Sequence, residues 1–527
     1  MQKSLENLAS RQLPRILTQV CRDPGSPFAG SWDRNWWHYK IRDFPSVILQ
    51  QGGYALHVAA ELPIGLELGE EMLRRLAADT ARFWNRRALR HGAFEEYYPF
   101  EQGYPPLAFA ALAMAKLGVE GAIPLEDIRP GLEVAASQLL SRFEAQAANQ
   151  QVAGTAAAAM IRKLAPELVE EVTFAELLDR TLALQHDEGW FPEYDGPDLG
   201  YLTVTMDCLW DLHDATGDSR CLEAIHKALG FVAWFTDQPP HRAGMHNSRN
   251  TDYMVPYAIA RIIAEGGEQA PLAGRVFQQL FATADQPNHF FAAVDDRYWC
   301  HYIGHSVLRA LRVLSGAGMP DVSGQRPLSD SLQGSGHARL RGTTATALVS
   351  TRKGGIVTVA WPAGGEATDF GWLVRTAGTE WVSHWWSEDW SIHIDNAETL
   401  TKGVMVPHKE HSSSPLKHMI LRVGSFVAGR RMIGMLKRLL IFKKGSAGPH
   451  LDRVVRFDGD GLVVRDRITN LPESAELVRA PRSSKRHVAS ADSFHHEDSR
   501  LLEDVQVSEK RNRAGDAVTI ITTYSIR

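Results

Sequence analysis

The spacing of apolar residues divides the chain into two parts that meet near residue 320. Before that point, Ala- and Leu-rich segments such as EMLRRLAADTARFWNRRAL (71–89) repeat apolar positions every three or four residues, which predicts amphipathic helices. Beyond it, segments such as DRVVRFDGDGLVVRDRI (452–468) alternate apolar and polar residues around Gly and Asp, which predicts antiparallel strands. We therefore expect an α+β multidomain protein with a helical domain over 1–322, a linker over 323–338 and an antiparallel β domain over 339–527.

Polar and aromatic clusters recur along the helical part, and each comes before an apolar helical run. Six marker residues in these clusters are separated by 60, 52, 44, 54 and 55 residues, about the length of one helical hairpin. Six such hairpins can close into an (α/α) toroid, whereas an open solenoid is the alternative. We favour the closed ring, because it brings all the clusters to one cleft. The markers are Trp37, Tyr97, Asn149, Glu193, Asn247 and Tyr302.

Composition excludes several classes of protein. The net charge of -5 argues against a general nucleic-acid-binding protein. Four scattered cysteines without CxxC spacing indicate neither a zinc site nor a disulfide framework. The first 25 residues lack the apolar core of a secretory signal, which favours a cytoplasmic location, with the periplasm as the alternative. The sequence does not predict an oligomeric state.

A basic segment, HMILRVGSFVAGRRMIGMLKRLLIFKK (418–444), mixes apolar residues with Lys and Arg. The favoured interpretation is strands and a loop whose charges are solvated, as charge runs usually are. The alternative is peripheral contact with an anionic membrane surface or an acidic polymer.

The recurring clusters combine flat aromatic faces with directional hydrogen-bonding groups, a combination that suits a carbohydrate chain. Core packing is the other explanation for each single aromatic residue, but it weakens when the clusters repeat. The candidates for contact with a substrate are Arg34, Trp37, Glu96, Tyr97, Asn149, Gln150, Glu193, Tyr194, Asn250, Tyr253, His301, His305 and, from the β part, His393.

Three segments carry a resemblance to a known family: HNSRNTDY (246–253), HYIGHS (301–306) and EWVSHWWSEDWSIHID (380–395). With the helical repeats and the β part, they resemble the heparinase II/III-like polysaccharide lyases and their bacterial exopolysaccharide relatives, from about Trp32 to the C-terminus. The resemblance implies a toroid followed by a β-sandwich. It also implies cleavage of uronic-acid-containing polysaccharides by β-elimination, so the expected partner is an acidic polysaccharide or oligosaccharide.

The resemblance also implies catalytic residues. Asn247 and its neighbour His246 match the position that binds the uronate carboxylate, and Tyr302 matches the tyrosine that acts as acid and often base. His384 corresponds to the histidine of the β domain. The family usually has an acidic residue two positions after that histidine, whereas here Trp386 stands there, so His393 competes for the role.

The chemistry explains why such residues are needed. Removal of the C5 proton of a uronate builds negative charge beside a carboxylate, and preorganised donors such as Asn247 and His246 would neutralise it. A tyrosine, with a reference pKa near 10, needs cationic or hydrogen-bonding neighbours before it can act as a base. His301 and His305 flank Tyr302 and are expected to provide them. The same phenol can then protonate the leaving oxygen.

Two other functions stay open. A glycoside hydrolase on the same toroid would need two carboxylates about 5 to 10 Å apart, from among Glu95, Glu96, Glu193, Asp195 and Asp198. A polysaccharide-binding protein of surface-glycan biosynthesis would need no catalytic residues at all.

No cofactor is expected, and no metal site is predicted. The segments PHKEH (407–411) and FHHEDS (494–499) contain metal-type ligands but lack a specific zinc spacing. A structural zinc or calcium ion in the β domain stays an alternative.

Overall fold

The computed structural model of the chain describes residues 2–90, 92, 94–236, 239, 244–318, 320–322, 329–362, 364–408, 414–429, 431–432, 434–436, 448–481 and 505–526. Its first part consists of helices and its second part of antiparallel strands, as the apolar spacing predicts.

Six inner helices alternate along the chain with outer helices. The inner helices are rich in small residues and are buried along most of their length, whereas the outer helices bury one face and expose the other. The inner helices are α3 (Gly52–Ala60), α5 (Tyr104–Val119), α7 (Ala148–Leu164), α9 (Leu199–Thr216), α11 (Tyr257–Glu265) and α14 (Gly304–Leu314). The outer helices are α1 (Gln2–Ile16), α4 (Glu70–Leu89), α6 (Leu125–Leu140), α8 (Glu171–Leu182), α10 (Ser219–Thr236) and α12 (Ala270–Phe281), and the short helices α2 (Arg34–Trp37) and α13 (Asp296–Tyr298) lie in connections.

The inner helices form a closed ring. Each packs against the next in chain order, and α14 packs against both α3 and α1, so that the first and last helices of this part complete the sixth hairpin. Ser4 and Asn7 of α1 donate to the carboxylate of Asp285, which ties the two ends together. The prediction of an (α/α) toroid is therefore confirmed, and the open solenoid is wrong.

The ends of α9 show how local sequence sets these helices. Asp198 caps the N-terminus by accepting from the backbone N–H of Tyr201 at 3.1 Å. Gly217 ends the helix in the left-handed conformation, with φ of 71°. The polar clusters thus lie immediately before the inner helices, at one end of the ring.

The described strands of the second part form three antiparallel sheets. Their strand orders are β1-β2-β3-β4-β5, β10-β7-β6-β13 and β14-β15-β12-β11-β9-β8. The strands are β1 (Ser331–Leu332), β2 (His337–Arg341), β3 (Thr346–Ser350), β4 (Ile356–Ala360), β5 (Glu366–Asp369), β6 (Trp372–Arg375), β7 (Glu380–Val382), β8 (Ser391–Ile394), β9 (Glu398–Val404), β10 (Val406–His408), β11 (His450–Asp458), β12 (Gly461–Thr469), β13 (Glu476–Arg479), β14 (Val505–Ala514) and β15 (Ala517–Ile526).

The six-stranded sheet packs against both smaller sheets. Val455 and Val464 meet the five-stranded sheet, whereas Leu451 and Ile468 meet Trp372 of the four-stranded sheet. Alternating burial along β12 turns one face of the sheet toward these cores, as the two-residue period predicts. The expected antiparallel β-sandwich is therefore confirmed.

Two boundaries differ from the sequence interpretation. Strands β1 and β2 already lie within the second half of the expected linker, while 323–328 fall outside the described residues. In the basic segment, residues Pro415–Ala428 form a helix, α15, where strands and a loop were expected. Among the described residues, no helix is long and apolar enough to cross a membrane.

Candidate functional site

The loop 244–253, which precedes α11, lies between the toroid and the β domain. His246 in this loop is fully buried, and its ring nitrogens lie 2.8 Å from the hydroxyl of Ser350 and 2.7 Å from that of Thr358. Its carbonyl also accepts from the ring of His337 at 3.0 Å. The imidazole is thus occupied by the domain interface, which differs from the carboxylate-binding role expected for it.

Lys353 of the β domain holds the same loop from the other side. Its buried ammonium donates to the carbonyls of Met245 at 2.8 Å and Asn247 at 2.5 Å, and to the side-chain oxygen of Asn250. Asn250 has a positive φ of 59°, a conformation that Asn tolerates better than most residues. The β domain therefore fixes the backbone on which Asn247 and Asn250 stand.

Arg249 of the same loop lies among aromatic side chains. Its guanidinium lies 4.3 Å from the ring centre of Tyr194 and 4.6 Å from that of Tyr201, and it pairs with Glu193 at 3.3 Å. Burial lowers the pKa of Arg249, but Tyr201, Tyr194 and Glu193 together outweigh it and raise that pKa above its usual range. A fixed positive charge therefore lies between two aromatic faces.

Tyr302 and Tyr253 meet in this cleft, with their hydroxyl oxygens 2.6 Å apart. Tyr302 belongs to a single π-helical turn (Trp299–Ile303) just before α14, a feature that is frequent at functional sites. Burial raises the pKa of Tyr302 well above 10, and Tyr201 adds to this, whereas the hydrogen bond from Tyr253 and the charge of Arg249 lower it.

We define the tyrosine cleft by the residues that surround Arg249, namely Tyr194, Tyr201, Tyr253, Tyr298 and Tyr302.

Two buried donors in this cleft stand without a hydrogen-bond partner in the part of the chain that the structure describes. They are Nδ2 of Asn149, which is 1% exposed, and Nε of Arg249. The backbone N–H of Asn149 donates to Glu193 at 2.8 Å, which places Asn149 beside Arg249. The side-chain oxygen of the next residue, Gln150, is also unpartnered. Buried polar groups are normally satisfied, so such atoms indicate a place for a polar ligand or water.

Glu96 and Tyr97 lie at the rim of the cleft. Burial raises the pKa of Glu96 to about 7, against the opposing effect of its hydrogen bond with Tyr97. Burial and the neighbouring Glu96 raise the pKa of Glu101 to about 8. The carboxylate of Glu101 accepts from the backbone N–H groups of Glu96 and Tyr97. The pKa values of these two rim carboxyls therefore lie near pH 7.

The structure separates the two histidines that compete for the β-domain position. His384 is 3% exposed, and burial, with Lys353 and His408 nearby, lowers its pKa to about 3. The side chain of His393 is 66% exposed on strand β8 and lies 3.5 Å from Asp395. His384 is thus a neighbour of the lysine that holds the loop, whereas His393 lies on the surface.

His301 and His305 were expected as cationic or hydrogen-bonding neighbours of Tyr302, and burial removes the cationic form of both. Burial lowers the pKa of His301 to about 3 and that of His305 well below 6.5. Both are therefore neutral at pH 7, and the cation that acts on Tyr302 is Arg249. His305 lies further down, where it lines a small enclosed cavity on the ring axis.

Arg34 and Trp37 make structural contacts. Arg34 donates to the carbonyl of Thr18 at 2.9 Å, and the indole of Trp37 donates to that of Gln19 at 2.9 Å. Both bonds fasten α2 to the segment that follows α1, so these two side chains are engaged by the protein's own backbone.

A charge network fills the axis of the ring beneath Tyr302. Lys116 and Arg309 each approach Oδ1 of Asp211 at 2.6 Å. Nearby, Asp207 accepts from the hydroxyl of Ser306 at 2.6 Å. Burial, together with Arg309, lowers the pKa of Lys116 to about 8.

Metal-type ligands converge at one place among the described residues, where His57, Glu61 and Glu120 meet. Arg312 lies 3.0 Å from each of the two carboxylates and so compensates their charge already. The segment 494–499 and most of 407–411 fall outside the described residues.

Several members of the site are absent from the candidate residues that the sequence indicated. Tyr201, Tyr298 and Arg249 stand within the aromatic clusters, so their recurrence before inner helices was a usable signal. No sequence signal indicated Lys353, because STRKGG (350–355) resembles an ordinary exposed turn. Gly354 in that turn has φ of 68° and lies against the backbone of Ser383, so the turn itself is tightly packed.

Comparisons with known proteins bear on the fold. No protein-family model matches the chain, and a sequence search of curated proteins finds no match. The chain is similar in structure to chondroitin AC lyase of Streptomyces coelicolor A3, solved in complex with chondroitin sulphate, with a TM-score of 0.54, 8% identity, 99% of this chain covered and 76% of that one.

Two further solved structures match more loosely. Heparinase III gives a TM-score of 0.45 at 10% identity, covering 99% of this chain and 82% of that one. An α-1,6-mannanase from Salegentibacter sp. HEL1_6 gives 0.35 at 9% identity, covering 58% of this chain and 98% of that one. With its closed helical ring and β-sandwich, the chain has the fold of the toroid polysaccharide lyases.

Proposed function

We propose that the protein is a polysaccharide lyase that cleaves a uronic-acid-containing polysaccharide, such as a bacterial exopolysaccharide, by β-elimination. The observation that carries the proposal is the pair of hydroxyls of Tyr253 and Tyr302, 2.6 Å apart and beside the cation Arg249. Burial raises the pKa of Tyr302 well above 10, and the hydrogen bond with Tyr253 and the charge of Arg249 act in the opposite direction. These two neighbours would favour the phenolate while a proton leaves Tyr302 and returns to it.

In this reaction Tyr302 acts first as a base. The phenol proton of Tyr302 first leaves to water, because burial keeps the resting side chain protonated. The phenolate oxygen then takes the C5 proton of the uronate, the electrons of the C–H bond form the C4–C5 double bond, and the bond from C4 to the glycosidic oxygen breaks. The proton on Tyr302 then passes to that leaving oxygen. The hydroxyls of Tyr253 and Tyr302 share a hydrogen bond in which either can donate, and an ionised Tyr302 would accept it from Tyr253.

The uronate carboxylate needs donors while negative charge develops beside it. Asn247 is the candidate from the family resemblance, and Lys353 holds its backbone carbonyl at 2.5 Å. Asn149 is the candidate from geometry, because its buried Nδ2 is unpartnered among the described residues. His246 and His384 would then position the loop and the domain interface rather than touch the sugar.

Hydrolysis is the weaker alternative because most of the expected carboxylates are engaged. Glu95 pairs with Arg87 at 2.8 Å, and Glu193 pairs with Arg249. Asp198 caps α9.

Of the expected carboxylates, the exposed Asp195 and the rim residue Glu96 remain for hydrolysis, and the structure adds Glu101 beside Glu96. The raised pKa values of the two glutamates, about 7 and about 8, favour this second candidate function.

The test is ultraviolet absorbance of unsaturated uronate during incubation with alginate, hyaluronan, chondroitin sulphate, polygalacturonate and bacterial exopolysaccharides. We expect absorbance to rise with at least one substrate, and to be lost in Tyr302→Phe but kept in Tyr257→Phe. Tyr257 is a matched control, because its hydroxyl accepts from Arg261 at 3.0 Å, away from the pair of Tyr253 and Tyr302. New reducing ends without absorbance would establish hydrolysis instead, and binding without cleavage would establish a glycan-binding protein.

A further inference from the structure

Helix α15 presents its apolar side to solvent. Its apolar residues follow the spacing i, i+3, i+4, i+7 and i+11, so they share one stripe along the helix. All are at least 62% exposed. The stripe consists of Leu416, Met419, Ile420, Val423 and Val427.

The opposite side of α15 is seated on the toroid. Ser425 is buried and donates to the carbonyl of Pro99 at 2.8 Å, and Arg422 forms an ion pair with Asp43. A surface helix normally turns its polar side to water and its apolar side to the core. The orientation of α15 is reversed, so the apolar stripe faces away from the protein that holds it.

The sequence that contains the stripe is basic. The chain as a whole carries a net charge of -5, yet residues 411–451 contain no Asp or Glu. The Lys and Arg residues of this stretch are Lys417, Arg422, Arg430, Arg431, Lys437, Arg438, Lys443 and Lys444. Among the described ones, Lys417, Arg422 and Arg431 are exposed, and Arg422 pairs with Asp43.

We propose that α15 docks the protein on an anionic lipid surface. An interfacial helix that binds such a surface needs an apolar stripe to enter the acyl boundary and Lys or Arg residues to meet the anionic headgroups. An acidic polysaccharide would use the charges but not five exposed aliphatic side chains. A second copy of the chain would bury the stripe but would bring two basic segments together.

Docking would hold one edge of the cleft at the lipid surface. The loop 95–101 carries Glu96 and Tyr97 of the rim, and Phe100 of this loop contacts Phe426 of α15 with ring centres 5.4 Å apart. A membrane-associated glycan chain would therefore meet the cleft near the bilayer. The proposal stands without the lyase activity, because it rests on α15 and its charges alone.

The experiment is co-flotation of the full chain with vesicles. One set is phosphatidylcholine alone, and the other contains about 30% phosphatidylglycerol. We expect binding to the anionic vesicles at least tenfold stronger than to the neutral ones, and weakened by salt. Ile420→Asn/Val423→Asn should lower binding at least tenfold, and Lys417→Gln/Arg431→Gln should lower it and reduce its salt dependence.

The matched control is Val172→Asn, which changes an apolar side chain of α8 that is 62% exposed. It should bind as the unchanged chain does, and circular dichroism should show the same helix content in all variants. Equal binding to neutral vesicles would overturn the proposal. So would the absence of vesicle binding together with retention on immobilised alginate through Lys417 and Arg431, or with dimerisation that Ile420→Asn/Val423→Asn abolishes.

Discussion

The toroid holds two buried polar regions, one above the other, and they are built differently. On the axis, Asp211 receives both Lys116 and Arg309 at 2.6 Å, so the charges compensate one another within the protein. In the tyrosine cleft, Arg249 pairs with Glu193 at the longer distance of 3.3 Å, and Asn149 keeps a buried donor unpartnered among the described residues.

The difference separates structure from recognition. A buried ion pair costs free energy through desolvation, and it persists where each partner satisfies the other. A buried donor without a partner is costly to the folded state alone, and it becomes favourable when a ligand supplies the acceptor. The charges of the axis are therefore satisfied within the protein, whereas the cleft above it keeps a donor that the proposed anionic sugar would satisfy.

The largest expected effect is a loss of turnover, and it should differ between a tyrosine of the cleft, Tyr302, and a tyrosine below it, Tyr257. Tyr302→Phe should lower the turnover of a cleaved polysaccharide by about 10²- to 10⁴-fold, because the group that carries the proton is removed. Tyr257→Phe should lower it less than about threefold, since Tyr257 contacts Arg309 and Arg261 below the cleft. Equal losses in the two variants would remove the distinction between axis and cleft.

The reverse pattern is expected for stability. Asp211→Asn leaves Lys116 and Arg309 together without a carboxylate, and it should lower the free energy of unfolding by about 3 to 5 kcal/mol. Chemical denaturation followed by circular dichroism measures this loss. Asp214→Asn, which breaks a more exposed pair with Arg261, is the control and should cost about 1 kcal/mol or less. An unchanged midpoint for Asp211→Asn would contradict the structural role of the axis.

The sequence predicts the ring better than the site, for a physical reason. Apolar spacing is local, so it identified the helices, the strands and the recurrence before each inner helix. Helix α15 was not predicted, although its apolar residues have helical spacing, because the run of basic residues favoured strands and a solvated loop. Contacts that join distant segments, such as Lys353 with Asn250, leave no periodic signal.

Histidines show the same limit. Sequence adjacency placed His246 with Asn247, yet the ring of His246 is bonded to Ser350 and Thr358 of the other domain. Adjacency also suggested that His301 would be a cationic or hydrogen-bonding neighbour of Tyr302, and burial, which keeps its pKa at about 3, excludes the cationic form at pH 7. Residue type predicted where polar chemistry gathers, but burial and long-range packing decide what each group does there.

Lys353 tests whether the cleft depends on the second domain. Lys353→Met removes the donor that fixes the carbonyls of Met245 and Asn247, so the loop should shift and turnover should fall by about 10²-fold. Lys402→Met, an exposed change on strand β9, is the matched control and should leave turnover unaltered. Steady-state kinetics with a cleaved substrate measure both, and equal rates in the two variants would show that the clamp is not required.

Asn149 tests the unpartnered donor itself. Asn149→Ala should lower kcat/KM by about tenfold or more, as expected for one hydrogen bond to a charged group. Asn149→Asp should lower it further, because it places a negative charge beside the substrate carboxylate. The free energy of unfolding should change little in Asn149→Ala, since the side-chain donor has no partner among the described residues to lose. A large loss of stability with unaltered kcat/KM would assign Asn149 to the structure rather than to the substrate.

The smallest effect concerns pH, and it has opposite signs in the two regions. His301 beside the cleft has a folded pKa of about 3 against 6.5 when unfolded, so the unfolded chain binds more protons and stability falls as pH decreases below about 6.5. Asp207 on the axis has a folded pKa of about 6 against 3.8, so stability falls as pH rises between these values. Urea unfolding between about pH 4 and pH 7 should show a shallower acid loss for His301→Gln and a steeper one for Asp207→Asn, each by at most about 1.4 kcal/mol per pH unit. Changes of the same sign in both variants would contradict this assignment, because they would mean that the buried histidine and the buried carboxyl do not hold their protons as their surroundings require.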